Sequence, residues 1–470
     1  MSALSQMSGL ILLPLLTRIF SVDEFGTVDV IATFVAFLST FIKCALPAAI
    51  ARYFWDYERI EERAVFISST LVFVSTLGIT ILFIISVSSK FFWHLLPIQE
   101  AYGEYITIGG WTALLSGVIS IPTITLRLER KIVAYNLVNL FNTLIFLATA
   151  LYFVLVVKTG VIGIFYAQVI AYGLASIIAL CLIREYIVLK FSLKKLNRAL
   201  KYSVPLFPAR IMLILSAQID RLLILFFLGL SGVGLFGAAF RISKIARFFI
   251  VLFRQAWQPY AMTILNAKDR NQVYRKMLNY YCGVFASIGI LLTAMSPELF
   301  KLILPNTYHH GYFLTPWLVG AAILHRSGAM THLGILVSEK TIFMSYISAA
   351  TILMNISASI ILIKAFGITG AAIGSFSAQL LYTSLLLRYS SQKSDVIFNI
   401  KKTAIILVIY IGVSIMILII AKMMENPISF FCRLILGGFS IILILKYSLD
   451  NSVKIFVRNL IEKLFMNNHD

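Results

Sequence analysis

The sequence predicts an all-α polytopic membrane protein with about fourteen transmembrane helices, and three observations predict it. Of 470 residues, 60% are hydrophobic and only 13% are charged. The apolar segments are continuous and roughly 20 residues long, enough for a helix to cross a hydrocarbon core of about 30 Å; barrel strands would be about 10 residues and alternating. Lysine and arginine also alternate sides. Loops after even-numbered spans, with the C-terminal tail, hold 25 of them, and loops after odd-numbered spans hold 7. One missed span would scramble that alternation, and the bias puts both termini in the cytoplasm.

In order, the spans are roughly 2–20, 26–50, 64–89, 104–125, 137–157, 161–183, 204–228, 235–257, 277–300, 312–337, 341–363, 368–387, 403–421 and 429–446. Met1 to Phe20 lacks a basic opening and a small-residue cleavage site, so it reads as a span rather than a cleaved leader. It is short, which suggests that the chain begins upstream of Met1. Connections are short throughout. The longest, Arg184 to Lys201, is strongly basic. Spans 7 and 8 are joined by the glycine turn Gly229-Leu230-Ser231-Gly232-Val233-Gly234. Trp93, Trp111, Trp257 and Trp317 lie near span ends, where interface anchoring is expected.

An internal repeat runs at an offset of 207 to 210 residues. Phe25-Gly26 opens span 2 and Val233-Gly234 opens span 8; Gly160-Val-Ile-Gly163 opens span 6 and Gly367-Ile-Thr-Gly370 opens span 12; Glu129-Arg130 precedes span 5 and Glu339-Lys340 precedes span 11. The expected organisation is two six-helix lobes, 1–195 and 203–390, two additional helices over 401–446 and a cytoplasmic tail over 447–470. Six is even, so both lobes run the same way through the membrane. Secondary transporters are often built from such repeats, with the site between them.

The charges inside spans carry the functional reading. A charge at membrane depth costs at least about 2.5–3.5 kcal/mol on insertion scales, so such residues face a cavity or a partner. Arg210 and Arg221 lie three helical turns apart on one face. Arg241, Lys244, Arg247 and Arg254 fall within about 140° of one another on span 8. Snorkelling to the interfaces is the rival reading for Arg241 and Arg254. The candidate cationic cavity comprises Arg221, Lys244 and Arg247, then Arg210 and Lys43, with Arg326 able to join. Arginine suits an anionic cargo, because its planar fork pairs bidentately with phosphate and stays charged. Asp220 is a candidate for coupling a proton or sodium gradient; its rival reading is a structural ion pair with a neighbouring helix. Asp29, nearer the interface, reads as structural.

The run from Leu10 holds Pro14-Leu-Leu-Thr-Arg18, Glu24-Phe25-Gly26 and Arg52-Tyr53-Phe54. Further on stand Pro205, Asp220-Arg221, Val233-Gly234-Leu235-Phe236 and Trp257-Gln258-Pro259. These motifs resemble the polysaccharide transporter family, the Wzx-type O-antigen and capsule repeat-unit flippases of the multidrug/oligosaccharidyl-lipid/polysaccharide superfamily. The likeness covers the chain to about Arg388. It implies a V-shaped alternating-access bundle in the bacterial inner membrane that moves an undecaprenyl-pyrophosphate-linked glycan from the inner to the outer leaflet. It also implies membrane lipids, a glycan polymerase and chain-length proteins as partners. Arg18, Asp220 and Arg221 match family-pattern positions, which adds Arg18 to the candidate binding residues.

Other classes fit less well. The basic residues sit at span ends and within spans, which argues against nucleic acid. The four cysteines lie in apolar runs, and the histidines have no metal spacing. There is no phosphate-loop motif, no hydrolase signature and no long outer loop for a glycan-polymerising enzyme, so neither catalysis nor a cofactor beyond the proton or sodium ion is expected. A multidrug or cation antiporter should carry more carboxylates in its spans. A peptidoglycan-precursor flippase shares the expected chemistry and remains an alternative.

Overall fold

The computed structural model describes residues 9–10, 12–92, 103–264, 267, 269–331, 342–393, 398–424 and 427–449. Outside them lie the start of span 1, Trp93, Glu339-Lys340 and most of the tail. The described residues are helical without a strand. The helices are α1 (Leu13–Ile19), α2 (Val22–Lys43), α3 (Leu46–Tyr53), α4 (Ile60–Phe92), α5 (Gly103–Leu128), α6 (Ile132–Leu151), α7 (Ile162–Leu182), α8 (Leu193–Thr263), α9 (Arg270–Ile303), α10 (Thr315–Thr331), α11 (Ile342–Phe366), α12 (Ile368–Lys393), α13 (Ile400–Met423) and α14 (Pro427–Ser448). Among the described residues 11 helices are long and apolar enough to cross a membrane. One of them, α8, carries two apolar runs, and α1 and α10, which are shorter, fall within the expected spans 1 and 10.

The chain divides into two compact units, Met1–Gly237 and Ala238–Asp470. The core of the first includes Leu46, Ile50, Phe54, Phe66, Val74 and Leu126. The core of the second includes Tyr281, Phe285, Ile290, Val319, Tyr410 and Ile444. Large apolar side chains such as Phe83, Ile361, Val408 and Ile435 are exposed on helix faces, as a bilayer solvent requires.

Local chemistry moves several boundaries. Span 2 begins earlier than expected because Ser21 and Glu24 form a capping box: Ser21 N–H donates to Glu24 Oε2 at 2.8 Å and Glu24 N–H donates to Ser21 Oγ at 3.2 Å. The same span is not continuous. Cys44 (φ 43°) and Ala45 (φ 54°) are both left-handed, and Pro47 restarts the chain in the first turn of α3. The glycine turn between spans 7 and 8 shrinks to one residue. Only Gly229 leaves the helix, at φ 73° and ψ −167°, a conformation essentially confined to glycine. Gly160 and Gly367, a matched pair of the repeat, take φ +69° and +56° just before α7 and α12.

Two expectations about single residues are corrected. Trp257 is buried, with its ring 5.2 Å from that of Tyr274, so it packs rather than anchors at an interface. Arg433, one of the seven counted after odd-numbered spans although it falls within the last span, is buried within α14. Its guanidinium donates to both Glu298 oxygens, at 3.1 and 2.5 Å, to Ala294 O at 3.0 Å and to Ser429 O at 3.1 Å.

Candidate functional site

In the first unit the site is built where α2 meets α8. The two helices touch backbone to backbone. A Cβ on Gly26 would meet the carbonyl oxygen of Leu230, and one on Gly234 would meet that of Val22. The contact is reciprocal, since Val22 and Leu230, and Gly26 and Gly234, are each 208 residues apart. One turn along α2 stands Asp29, paired at the same offset with Gly237, where a Cβ would collide with the Asp29 carboxylate. Small residues thus admit a carboxylate between two helices that would otherwise exclude it.

Asp29 receives Arg221. Arg221 Nε lies 3.6 Å from Asp29 Oδ2, with the two side chains 12% and 6% exposed. Arg221 Nη1 also donates to Gln218 Oε1 at 3.0 Å. Thr33 Oγ1 donates to Asp29 O at 2.8 Å and lies 3.4 Å from Gln218 Oε1. The guanidinium is therefore neutralised by Asp29 and aimed by Gln218. Asp29, read from sequence as structural, is the carboxylate that engages the central arginine. Asp220, the ion-coupling candidate, is half-buried beside it on α8.

The other candidates of this unit are dispersed. Lys43 ends α2 at the left-handed break and donates from Nζ to Ser116 Oγ of α5 at 3.0 Å. Its ammonium thus sits mid-span at a helix C-terminus, where cations are favoured. Arg210 is exposed on α8, and Arg18 is exposed in the last turn of α1.

In the second unit Lys244 and Arg247 share one aromatic platform. Lys244 Nζ lies 5.6 Å and Arg247 Cζ 4.7 Å from the centroid of Phe240. The spacing of Phe240, Lys244 and Arg247 puts all three on one helix face, a signal present in the sequence but not used there. Cation–π attraction helps to hold both heads over that ring. Arg326, on α10, is half-buried, and its Nε is buried with no hydrogen-bond partner among the described residues. Its neighbour His325 makes a 3.0 Å hydrogen bond through Nδ1 with Gln379 Oε1 of α12. Among the described residues no cluster of His, Cys, Asp and Glu could hold a metal ion. All four cysteines are free.

Each unit therefore holds oriented basic side chains on apolar helices, an arrangement that can receive a phosphate. A family model described as polysaccharide biosynthesis protein matches residues 1–265. Among solved structures, the chain is similar to the lipid II flippase MurJ in its inward closed conformation, with a TM-score of 0.72 at 16% identity over 97% of this chain and 98% of that one. It is similar also to an inward-facing multidrug resistance MATE family transporter of the MOP superfamily, with a TM-score of 0.68 at 14% identity over 82% and 94%. The Vibrio cholerae MATE transporter VcmN gives 0.51 at 14% identity over 83% and 93%. At these identities the likeness is one of fold. Among curated protein sequences nothing matches the chain.

Proposed function

The chain belongs to the polysaccharide biosynthesis protein family, and from that premise we propose that it flips an undecaprenyl-pyrophosphate-linked oligosaccharide from the inner to the outer leaflet of the bacterial inner membrane. Family and fold point to a transporter rather than an enzyme. The observation that carries the reading is Arg221, a buried guanidinium on a membrane helix, held by Asp29 and Gln218. A pyrophosphate linkage is anionic and must cross a medium of low dielectric, so it needs cations already in position.

In this proposal Arg221 in the first unit, and Lys244 and Arg247 in the second, each serve as a cationic station for the pyrophosphate, with Arg210, Lys43, Arg18 and Arg326 as further stations. The cargo's phosphate competes with Asp29 for Arg221, and Asp220 is the candidate for the proton or sodium ion that drives the cycle. Basic side chains on aromatic platforms favour an anionic cargo over the cations of a drug antiporter.

The test is the fate of the lipid-linked repeat unit in cells that lack the gene. Accumulation on the cytoplasmic face, with surface glycan lost, supports the flippase, and the mass of the lipid identifies its sugars. Restoration by the wild-type chain but not by Arg221→Ala at equal protein level assigns the arginine. Glycan and lipid intermediates unchanged by the deletion would overturn the reading. Accumulation of the peptidoglycan precursor instead would redirect it to that substrate.

A further inference from the structure

A cleft of about 520 Å³ in the first unit plays no part in the reading above; it is lined by Tyr57, Lys194, Lys195, Asn197, Arg198 and Lys201. Five of these stand in the opening turns of α8, before its apolar run begins at Val204. At 100° per residue the four cations fall within about 120° of one another, so they form one face.

Two of the four are fixed in place. Lys195 Nζ lies 4.3 Å from the centroid of Tyr57 and donates to Glu62 O at 2.9 Å. Arg198 Cζ lies 4.4 Å from the centroid of Tyr53, and its Nη2 donates to Asp56 Oδ2 at 2.6 Å. Asp56 is shared with Arg52 at 3.4 Å, so its charge is already divided. Lys195 has the Glu62 carboxylate at 3.8 Å. Lys194 and Lys201 are exposed, and among the described residues no carboxylate lies within 4.0 Å of either. The cleft therefore keeps an uncompensated positive charge above an aromatic floor.

The surroundings select the source of the anion. Trp55, Leu189, Phe191 and Leu193, each within five residues of a lining residue in the sequence, are large, apolar and exposed. A water-bathed loop has no reason to display four such side chains. An element lying at the membrane surface does: its apolar groups enter the acyl boundary while its cations meet the headgroups. The apolar run of α8 follows Lys201 by only a few residues, which sets these cations at headgroup depth.

We propose that this cleft binds the phosphate headgroup of an anionic phospholipid, with Lys194 and Lys201 supplying the exchangeable charge, Lys195 and Arg198 the fixed frame, and Leu189, Phe191 and Leu193 resting on its acyl chains. The site is separate from the Arg221 pair and stands whether or not the transport reading does.

The experiment is native mass spectrometry of the full chain, purified in non-ionic detergent and offered phosphatidylglycerol and phosphatidylcholine in equal amounts. The wild type is expected to retain phosphatidylglycerol selectively. A surface charge contributes about 1 kcal/mol, so Lys194→Gln/Lys201→Gln should weaken that binding roughly thirtyfold and the milder Lys201→Gln roughly fivefold. The control Arg388→Gln/Lys401→Gln, exposed positions elsewhere, should leave it unchanged. Equal retention of both lipids, full retention by the double variant, or equal loss in the control would overturn the proposal. Displacement of the lipid by glycerol 3-phosphate would likewise overturn it and assign the cleft to a soluble phosphate.

Discussion

Asp29 Oδ2 and Arg221 Nε lie 3.6 Å apart inside the first unit, between α2 and α8, with both side chains close to nine-tenths buried. Removing one partner of a buried pair leaves an uncompensated charge and costs about 3–5 kcal/mol. Arg221 keeps its contacts to Gln218 and Ala217, so the lower end is expected for Asp29→Ala. Asp29→Ala and Arg221→Ala should each lower the melting temperature in detergent. The double variant should lose less than their sum, with a coupling of about 0.5–3 kcal/mol. Strict additivity would mean that the pair does not couple α2 to α8.

Gly26 and Gly234 tolerate no side chain. Each added Cβ would fall on a backbone carbonyl of the facing helix, which cannot rotate away as a side chain could. Gly26→Ala and Gly234→Ala are each expected to cost about 1–3 kcal/mol or more, as overpacking does. Folded yield by fluorescence-detected size exclusion checks this. Gly438→Ala is the control, since a Cβ there meets nothing within 4 Å.

Gly229 constrains the chain in another way. A Cβ there meets nothing within 4 Å, so space is not the issue; φ 73° with ψ −167° is. Gly229→Ala should destabilise by on the order of 1–3 kcal/mol through backbone strain alone. An unchanged melting temperature would mean that the break between the two apolar runs relaxes to a conformation open to alanine.

Arg433 and Glu298 tie α14 to α9 in the second unit. The Arg433 donors are met by carboxylate and carbonyl oxygens, so Arg433→Ala strands Glu298 and two backbone acceptors. Glu298 is 38% exposed and regains water, so a loss of about 1–3 kcal/mol is expected. Glu298→Gln keeps an acceptor and should cost less, and thermal unfolding of the two variants side by side orders them.

Tyr186, in the loop before α8, donates its hydroxyl to Glu129 Oε1 at 2.5 Å. Burial first, then this hydrogen bond and the Glu129 charge, hold the phenol well above its ordinary value. A raised phenol contributes stability that is fully present below the ordinary tyrosine value of about 10 and is lost only as pH rises through the folded value. Tyr186→Phe should therefore cost about 1–3 kcal/mol, and equally from about pH 6 to about pH 9. A penalty that shrinks within that window would show the hydrogen bond to be absent.

The fold was legible because a membrane span is a local signal. The two apolar runs of α8, the glycines before α7 and α12 and the basic face through Lys244 and Arg247 are all written within a few turns of chain. The pairing at the site is not. Thr33 and Gln218, which frame the Asp29–Arg221 pair, are 185 residues apart, and no helical period links them. One signal did reach that far: the offset of 208 that matches Gly26 with Gly234 also matches Asp29 with Gly237, a carboxylate facing a residue without a side chain. The break at Cys44–Ala45 carries no such mark. Neither residue favours a left-handed backbone, and only Pro47, a few residues on, hints that a helix restarts there.

The close approach of α2 and α8 also bears on leakage. A membrane transporter must not let ions leak beside its cargo, since a stray file of water would discharge the membrane. Where Gly26 faces Leu230 and Gly234 faces Val22, the two backbones leave no width for a water molecule. The ion pair one turn away is thus insulated on that side by main chain alone, a barrier that no side-chain rotation can open.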